Sequence, residues 1–224
     1  MTLRPSLRSL GLVALVALVA SATDSPSPSL TYRFEEVKSK VLRAPGGDPK
    51  REEKVVVGGT AEPGDVVTTG FWARAVVAVP ERGSRFEIES SSRVKLAGNE
   101  PGVLLLLERG RLKAIFEAVT GTEPRVVATP GALLAVRGTR YGIEVDSSGN
   151  AALAVFEGKV EVTGRGVAPP APLFVGPGEL CMFGPRQPPR AEPMGPRGMN
   201  EKTWGMPKDG GRPQEKGGDP NRPP

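Results

Sequence analysis

Few residues in this chain have the capacity for chemistry. It holds 30 Lys+Arg and 25 Asp+Glu, no histidine and one cysteine, Cys181. Without histidine there is no Ser-His-Asp or Cys-His nucleophile, no His-ligated zinc and no haem held by histidine. One cysteine forms neither an intramolecular disulfide nor a thiolate cluster nor a redox pair. In the apolar stretch Glu179-Leu180-Cys181-Met182-Phe183 it reads as buried rather than reactive. Glu87, Glu89, Glu144, Asp146 and Glu161 have the chemistry to pair as acid and base or to hold a cation. Each stands in an alternating stretch, where carboxylates usually face solvent opposite Lys or Arg on the neighbouring strand. Phe71-Trp72 has the rings to stack on a sugar, but as a strand start beside Gly70 the pair reads as core. No nucleotide-type glycine motif occurs. The expectation is therefore no catalytic residue, no cofactor-binding residue and no metal ligand, in a protein that is not an enzyme and needs no cofactor.

The elements that must position these residues are strands. Between residues 32 and 183 the dominant period is two. Arg85-Phe86-Glu87-Ile88-Glu89, Arg93-Val94-Lys95-Leu96, Tyr141 to Asp146 and Lys159-Val160-Glu161-Val162 alternate apolar with polar, the pattern of a half-buried strand. Fuller apolar runs at Val55–Val57, Ala75–Val79, Val103–Leu107 and Leu133–Val136 read as strands covered on both faces. Turns rich in glycine separate them, among them Gly58-Gly59, Pro63-Gly64-Asp65, Arg82-Gly83-Ser84 and Ser148-Gly149-Asn150. Only Tyr32–Leu42 and Lys113–Val119 admit a helical reading, and both are short. The fold class is all-β. The strands also echo one another: Leu107-Glu108-Arg109-Gly110-Arg111-Leu112 resembles Val155-Phe156-Glu157-Gly158-Lys159-Val160, and Arg82-Gly83-Ser84-Arg85-Phe86 resembles Arg137-Gly138-Thr139-Arg140-Tyr141. Such recurrence favours a β-solenoid or roll-like stack of short strands, with a β-sandwich as the alternative.

The ends have different compositions. Met1 to Arg8 is short and basic, Leu10–Ala20 is an unbroken run of apolar and glycine residues, and Ala20-Ser21-Ala22 follows. This is the pattern of a secretory signal peptide over residues 1–22, cleaved after Ala22. The run is shorter than the roughly 20 residues of a spanning helix, so no membrane span is expected after cleavage. An exported chain with one lone thiol fits a bacterial periplasm, or secretion, better than a disulfide-stapled scaffold. Residues 23–51 read as an N-terminal lead-in and 52–183 as the folded domain. Residues 184–224 carry 8 glycines and 10 prolines and read as a disordered, basic tail. The formal charge of +5 divides accordingly: two charges belong to residues 1–22, three to the tail, and residues 23–183 balance to zero. A balanced domain is not expected to bind nucleic acid. The tail reads as solvated chain, with contact to cell-wall polymer as the alternative, and Trp204 is its one large aromatic.

Three segments carry a family likeness. Glu62 to Gly70 with Ala73-Arg74-Ala75 comes first. Val127-Ala128-Thr129-Pro130, then Val136-Arg137-Gly138-Thr139-Arg140-Tyr141, then Val155-Phe156-Glu157-Gly158-Lys159-Val160 follow in order. Together they resemble the FecR-type periplasmic domain over about residues 52–183. The likeness departs at Glu81-Arg82-Gly83-Ser84, where an Asp-Gly-Ser turn is common, and at Ala73, where serine is usual. It implies an all-β, solenoid-like domain of the bacterial envelope that acts by contact with other proteins. The best-known members relay siderophore-receptor status to an extracytoplasmic sigma factor, using a cytoplasmic segment and a spanning helix. Neither remains here if Ala22 is a cleavage site, so the implied protein is a detached, exported binding or regulatory module with an envelope protein as partner. The likeness singles out Thr129, Pro130, Val136, Arg137, Gly138, Thr139 and Gly158. Read as chemistry of the backbone, they are structural: Gly138 turns the chain, Thr139 bonds local backbone, Arg137 braces carbonyls or a carboxylate, and Pro130 ends a strand.

Overall fold

The computed structural model describes residues 30–97, 102–117, 125–166 and 172–194. Strands follow one another throughout: β1 (Tyr32–Lys38), β2 (Val41–Ala44), β3 (Glu53–Lys54), β4 (Thr60–Ala61), β5 (Val66–Thr69), β6 (Arg74–Val79), β7 (Ser84–Ile88), β8 (Arg93–Leu96) and β9 (Val103–Phe116). Then come β10 (Arg125–Ala128), β11 (Ala132–Val136), β12 (Arg140–Val145), β13 (Ala151–Glu157), β14 (Val160–Gly164), β15 (Leu173–Val175), β16 (Glu179–Gly184) and β17 (Gln187–Pro193). The only helical pieces among the described residues are single 3-10 turns at Pro45–Gly47, Pro49–Arg51 and Pro80–Arg82. Both stretches with a helical alternative are extended, Tyr32–Lys38 as β1 and Lys113–Phe116 as the end of β9.

The strands form one curled, open sheet in two rows. The first row runs β4-β1-β6-β7-β9-β12-β13-β16-β17, and the second β3-β2-β5-β8-β9-β10-β11-β14-β15. Strand β9 belongs to both. Its first half pairs with β8 and β10, and its second half, from Gly110, pairs with β7 and β12. A 14-residue strand changes rows because Gly110 has φ +98° and lies so close to Ser92 that a Cβ would stand 2.5 Å from the Ser92 Cα. The pairing is antiparallel everywhere except between β9 and β10.

One apolar cluster fills the space between the rows, with Phe86, Leu112, Ile143, Leu153 and Cys181 from the first row and Val94, Leu105, Leu134, Val160 and Val175 from the second. The alternation explains this burial directly: Phe86 and Ile88 of β7 are buried while Arg85 and Glu87, which alternate with them, are half-buried. On the outer face of the first row those charges pair across strands, Arg74 with Glu36 at 3.0 Å and Glu87 at 2.9 Å, and Arg85 with Glu35 at 2.8 Å.

The sheet extends past both limits of the 52–183 span read from the sequence. Tyr32 and Phe34 of β1 are buried in the core. At the other end Gln187–Pro193, placed by composition in the tail, pairs antiparallel with β16. Its prolines lack amide donors and suit an edge strand that recruits no further neighbour. Residues 1–29, including Ala22, and residues 195–224, including Trp204, lie outside the described residues. Among the described residues no helix is long and apolar enough to cross a membrane.

Candidate functional site

The family-type motifs build the places where the chain turns or changes rows. Thr129-Pro130-Gly131-Ala132 is the reversal between β10 and β11. Thr129 is buried there: its Oγ1 accepts from the Ala132 amide at 2.9 Å and donates to the Ala132 carbonyl at 3.0 Å, and its own amide donates to the same carbonyl at 2.9 Å. Pro130 ends β10, as its missing donor dictates. Val136 is a buried core residue at the end of β11 and faces Val160 of β14.

Arg137-Gly138-Thr139 then carries the chain from the second row to the first. Gly138 has φ +58°, the left-handed conformation the turn requires. Gly158 makes the neighbouring crossing from β13 to β14 at φ +79°, and packs directly on Gly138 and Thr139. Thr139 is buried. Its carbonyl accepts from the Phe116 amide at 2.9 Å, but its hydroxyl has no partner among the described residues, contrary to the expected side-chain bond. Two residues on, the Tyr141 hydroxyl is likewise buried and unpartnered, with its ring stacked on Phe116 at 6.0 Å. Arg137 does not brace the interior. It is exposed, and no hydrogen bond or ion pair ties it to the described residues.

The brace is Arg125, which sequence reasoning passed over. This arginine is 7% exposed; its guanidinium donates to the carbonyls of Glu117 at 2.8 Å and Arg82 at 3.3 Å and lies 5.5 Å over the Phe116 ring. Burial away from water pulls its pKa below the ordinary arginine value. Arg125 opens β10, where a charged residue looks solvent-facing by position alone. The register opposite buried Val136 is what turns it inward.

Arg125 and Arg137 border a cleft of about 430 Å³, together with Ala135, Val136, Lys159, Glu161 and Phe174. Strand register lays out its floor and wall: Ala135 pairs with Glu161, and Glu161 pairs with Phe174. Phe174 is 55% exposed, with the Lys159 ammonium 5.7 Å from its ring centre. The cleft thus presents two exposed cations, Arg137 and Lys159, with one carboxylate and an aromatic side chain, beside β15, which pairs with β14 on one edge and has no strand on its other edge among the described residues. This arrangement suits an acidic, extended segment, because cations and an open strand edge recognise charge and backbone respectively.

The carboxylates do not converge. Glu87 and Glu89 lie on the outer face of the first row against Arg74, at 2.9 and 3.8 Å. Burial pushes the Glu89 carboxyl above its ordinary value despite Arg74 and Lys113 nearby. Glu144 is exposed on β12, Asp146 accepts from the Ser148 and Asn150 amides in its own hairpin turn, and Glu161 borders the cleft. Among the described residues no three His, Cys, Asp or Glu side chains come together as a metal site. Cys181 is fully buried, and that burial pushes its thiol up to about 11. Phe71 and Trp72 are not core: they are 76% and 66% exposed.

Corners, cleft and open edge define an all-β scaffold of the curled-sheet class. Residues 65–161 match the model of the family described as FecR protein, and the chain carries a FecR domain over that range. No curated protein matches the chain. Two crystal structures of a candidate anti-sigma factor from Parabacteroides distasonis, at 1.65 and 2.50 Å resolution, are similar at 17% identity and a TM-score of 0.47. The match covers 57% of this chain and 59% of theirs, so this chain spans under two thirds of those proteins' length.

Proposed function

We propose that this protein is an exported, non-enzymatic module of envelope signalling that holds an acidic, extended segment of another protein in the cleft beside Arg137. The FecR domain over residues 65–161 supports the envelope and regulatory part of that reading. The observation that carries the binding site is the grouping of exposed Arg137 and Lys159 beside exposed Phe174 at the open edge of β15. In this reading the partner adds a strand to β15, and the stacked hairpins serve as a roll-like scaffold that presents the edge. Periplasmic or secreted localisation follows from cleavage after Ala22. The motif residues Thr129, Pro130, Val136, Gly138, Thr139 and Gly158 act structurally, and Arg137 acts at the surface.

The test is site-specific photocrosslinking from position 174 in growing cells. A crosslinked protein that disappears in Arg137→Glu/Lys159→Glu supports the reading. Capture of cell-wall polymer that depends on residues 195–224 instead, with no protein crosslink at 174, replaces it with a structural or wall-binding role. Catalytic turnover that copurifies with the protein and is lost with it overturns the non-enzymatic assignment.

A further inference from the structure

Val56, Val57, Phe71 and Trp72 are four of the six exposed large apolar side chains among the described residues, and all four stand on one edge of the sheet, away from the Arg137 cleft. That edge is a row of corners. Ser39-Lys40 joins β1 to β2, Gly70 to Ala73 joins β5 to β6, Ser90 to Ser92 joins β7 to β8, and β9 bends at Gly110. Backbone bonds tie the corners in sequence: the Gly70 amide donates to the Lys40 carbonyl at 2.9 Å, and the Ser91 amide to the Gly70 carbonyl at 3.1 Å. The Arg111 amide then donates to Ser92 Oγ at 2.9 Å. Val55 to Gly59 runs outside Ser39-Lys40, anchored by the Val55 amide on the Val41 carbonyl at 3.0 Å. Register places this edge at the opposite end of β12 from Gly138, since Val145 pairs with Gly110 and Arg140 with Ile115.

Phe71 and Trp72 occupy the tip of a four-residue turn closed by the Ala73 amide on the Gly70 carbonyl, at 3.2 Å. Trp72 holds φ +60°, a conformation that glycine or asparagine ordinarily supplies at such a place. The two rings meet edge to face at 5.0 Å and leave most of their area in water. An indole in a left-handed conformation with two thirds of its surface in water adds little packing to the fold.

Exposed cations predominate among the charges on this edge. Lys38, Lys40, Lys54 and Arg109 are exposed and make no ion pair among the described residues. Two carboxylates there are already taken: Glu89 faces Arg74 at 3.8 Å and Glu108 faces Arg93 at 2.7 Å. Past Gly110, Asp146 is bound to the amides of its own hairpin, and Glu144, opposite Arg111, is the exposed carboxylate without an ion pair. We infer that this edge docks on an anionic lipid surface, with Phe71 and Trp72 at headgroup depth and Lys38, Lys40, Lys54 and Arg109 over the lipid phosphates. Aromatic side chains with apolar bodies favour the bilayer interface, and each nearby cation adds attraction to an anionic leaflet. The recess on this edge, about 680 Å³ and lined by Lys40, Lys54, Val56 and Val57 among others, does not hold the Phe71 and Trp72 rings, which project from a corner tip as an interface anchor does.

The experiment uses the full chain carrying Trp204→Phe, so that Trp72 is the one tryptophan. It is mixed with vesicles of phosphatidylcholine alone or of phosphatidylcholine and phosphatidylglycerol in equal parts. The expected result is a blue shift of Trp72 emission and its protection from acrylamide on the phosphatidylglycerol vesicles, weakened by added salt. In cosedimentation, Phe71→Ser/Trp72→Ser and Lys40→Glu/Lys54→Glu, made in the parent chain, each lower affinity roughly tenfold or more, with circular dichroism and thermal midpoint unchanged. All these proteins share residues 1–29 and 195–224, so the differences between them report the edge. Vesicle-bound protein whose Trp72 stays in water, or double variants that bind as the parent does, overturn the proposal. So does equal binding to phosphatidylcholine alone.

Discussion

A Cβ placed on Gly158 would stand 2.6 Å from the Gly138 carbonyl oxygen. Two row crossings, 20 residues apart in sequence, thus lie in contact, and Gly158 has no room there for a side chain.

Gly158→Ala is therefore expected to destabilise the protein by about 3 kcal/mol, from strain at positive φ and from contact with backbone that cannot move aside. Gly138→Val is expected to unfold the domain, because a β-branched residue does not hold φ +58°. Urea denaturation followed by circular dichroism measures both. A Gly138→Val protein that folds normally yet loses its partner would move Gly138 from structure to recognition.

Trp72→Gly should have the opposite sign. The indole is mostly in water, so little packing is lost, and glycine relieves the left-handed backbone. A gain of roughly 0.5–1 kcal/mol in urea, with unchanged slope, is the expected outcome. A loss of stability would show that the ring supports the fold.

The unpartnered hydroxyls give a third measurement. Tyr141→Phe and Thr139→Val each remove a buried polar atom with no partner among the described residues and keep the shape around it. Each is expected to leave stability unchanged or raise it by about 1 kcal/mol. A drop of 2 kcal/mol or more from either (roughly a lost buried hydrogen bond) would point to a partner at that hydroxyl.

Alkaline pH should destabilise the fold. Burial raises the Cys181 thiol to about 11 from an ordinary 9.0, and it raises Tyr32 and Tyr141 as well. Each group stays neutral in the folded protein to higher pH than in the unfolded chain. The stability they confer is complete below pH 9 and declines as pH rises through 11. Thermal midpoints taken between these limits should fall, and a thiol reagent at pH 8 should label Cys181 only after unfolding. Rapid labelling of the native protein would contradict its burial.

Much of the fold was legible from residue order. Alternation is a local property, so Phe86 and Ile88 declared a buried face without any knowledge of their neighbours. Glycine positions were legible for the same reason: the echo of Leu107–Leu112 in Val155–Val160 marks two row changes, at Gly110 and Gly158. Cys181 was readable as buried from its apolar flanks. Errors arose where exposure depends on what lies opposite. Val55–Val57 and Phe71-Trp72 are apolar and read as core, yet Val56, Val57, Phe71 and Trp72 cap corners that no other strand covers. Gln187–Pro193 has the composition of loose chain, and pairing with β16 alone makes it a strand.

The sequence by itself determined an all-β protein, its turning points and the chemistries it lacks, because side-chain period, glycine conformation and residue inventory are properties of neighbours along the chain. Only the tertiary structure decided that Arg125 rather than Arg137 turns inward. It alone gathered Arg137, Lys159 and Phe174 around one cleft, and Lys40 and Trp72 on one edge. Those placements depend on the register between distant strands, and a shift of one residue would move each side chain to the opposite face of the sheet.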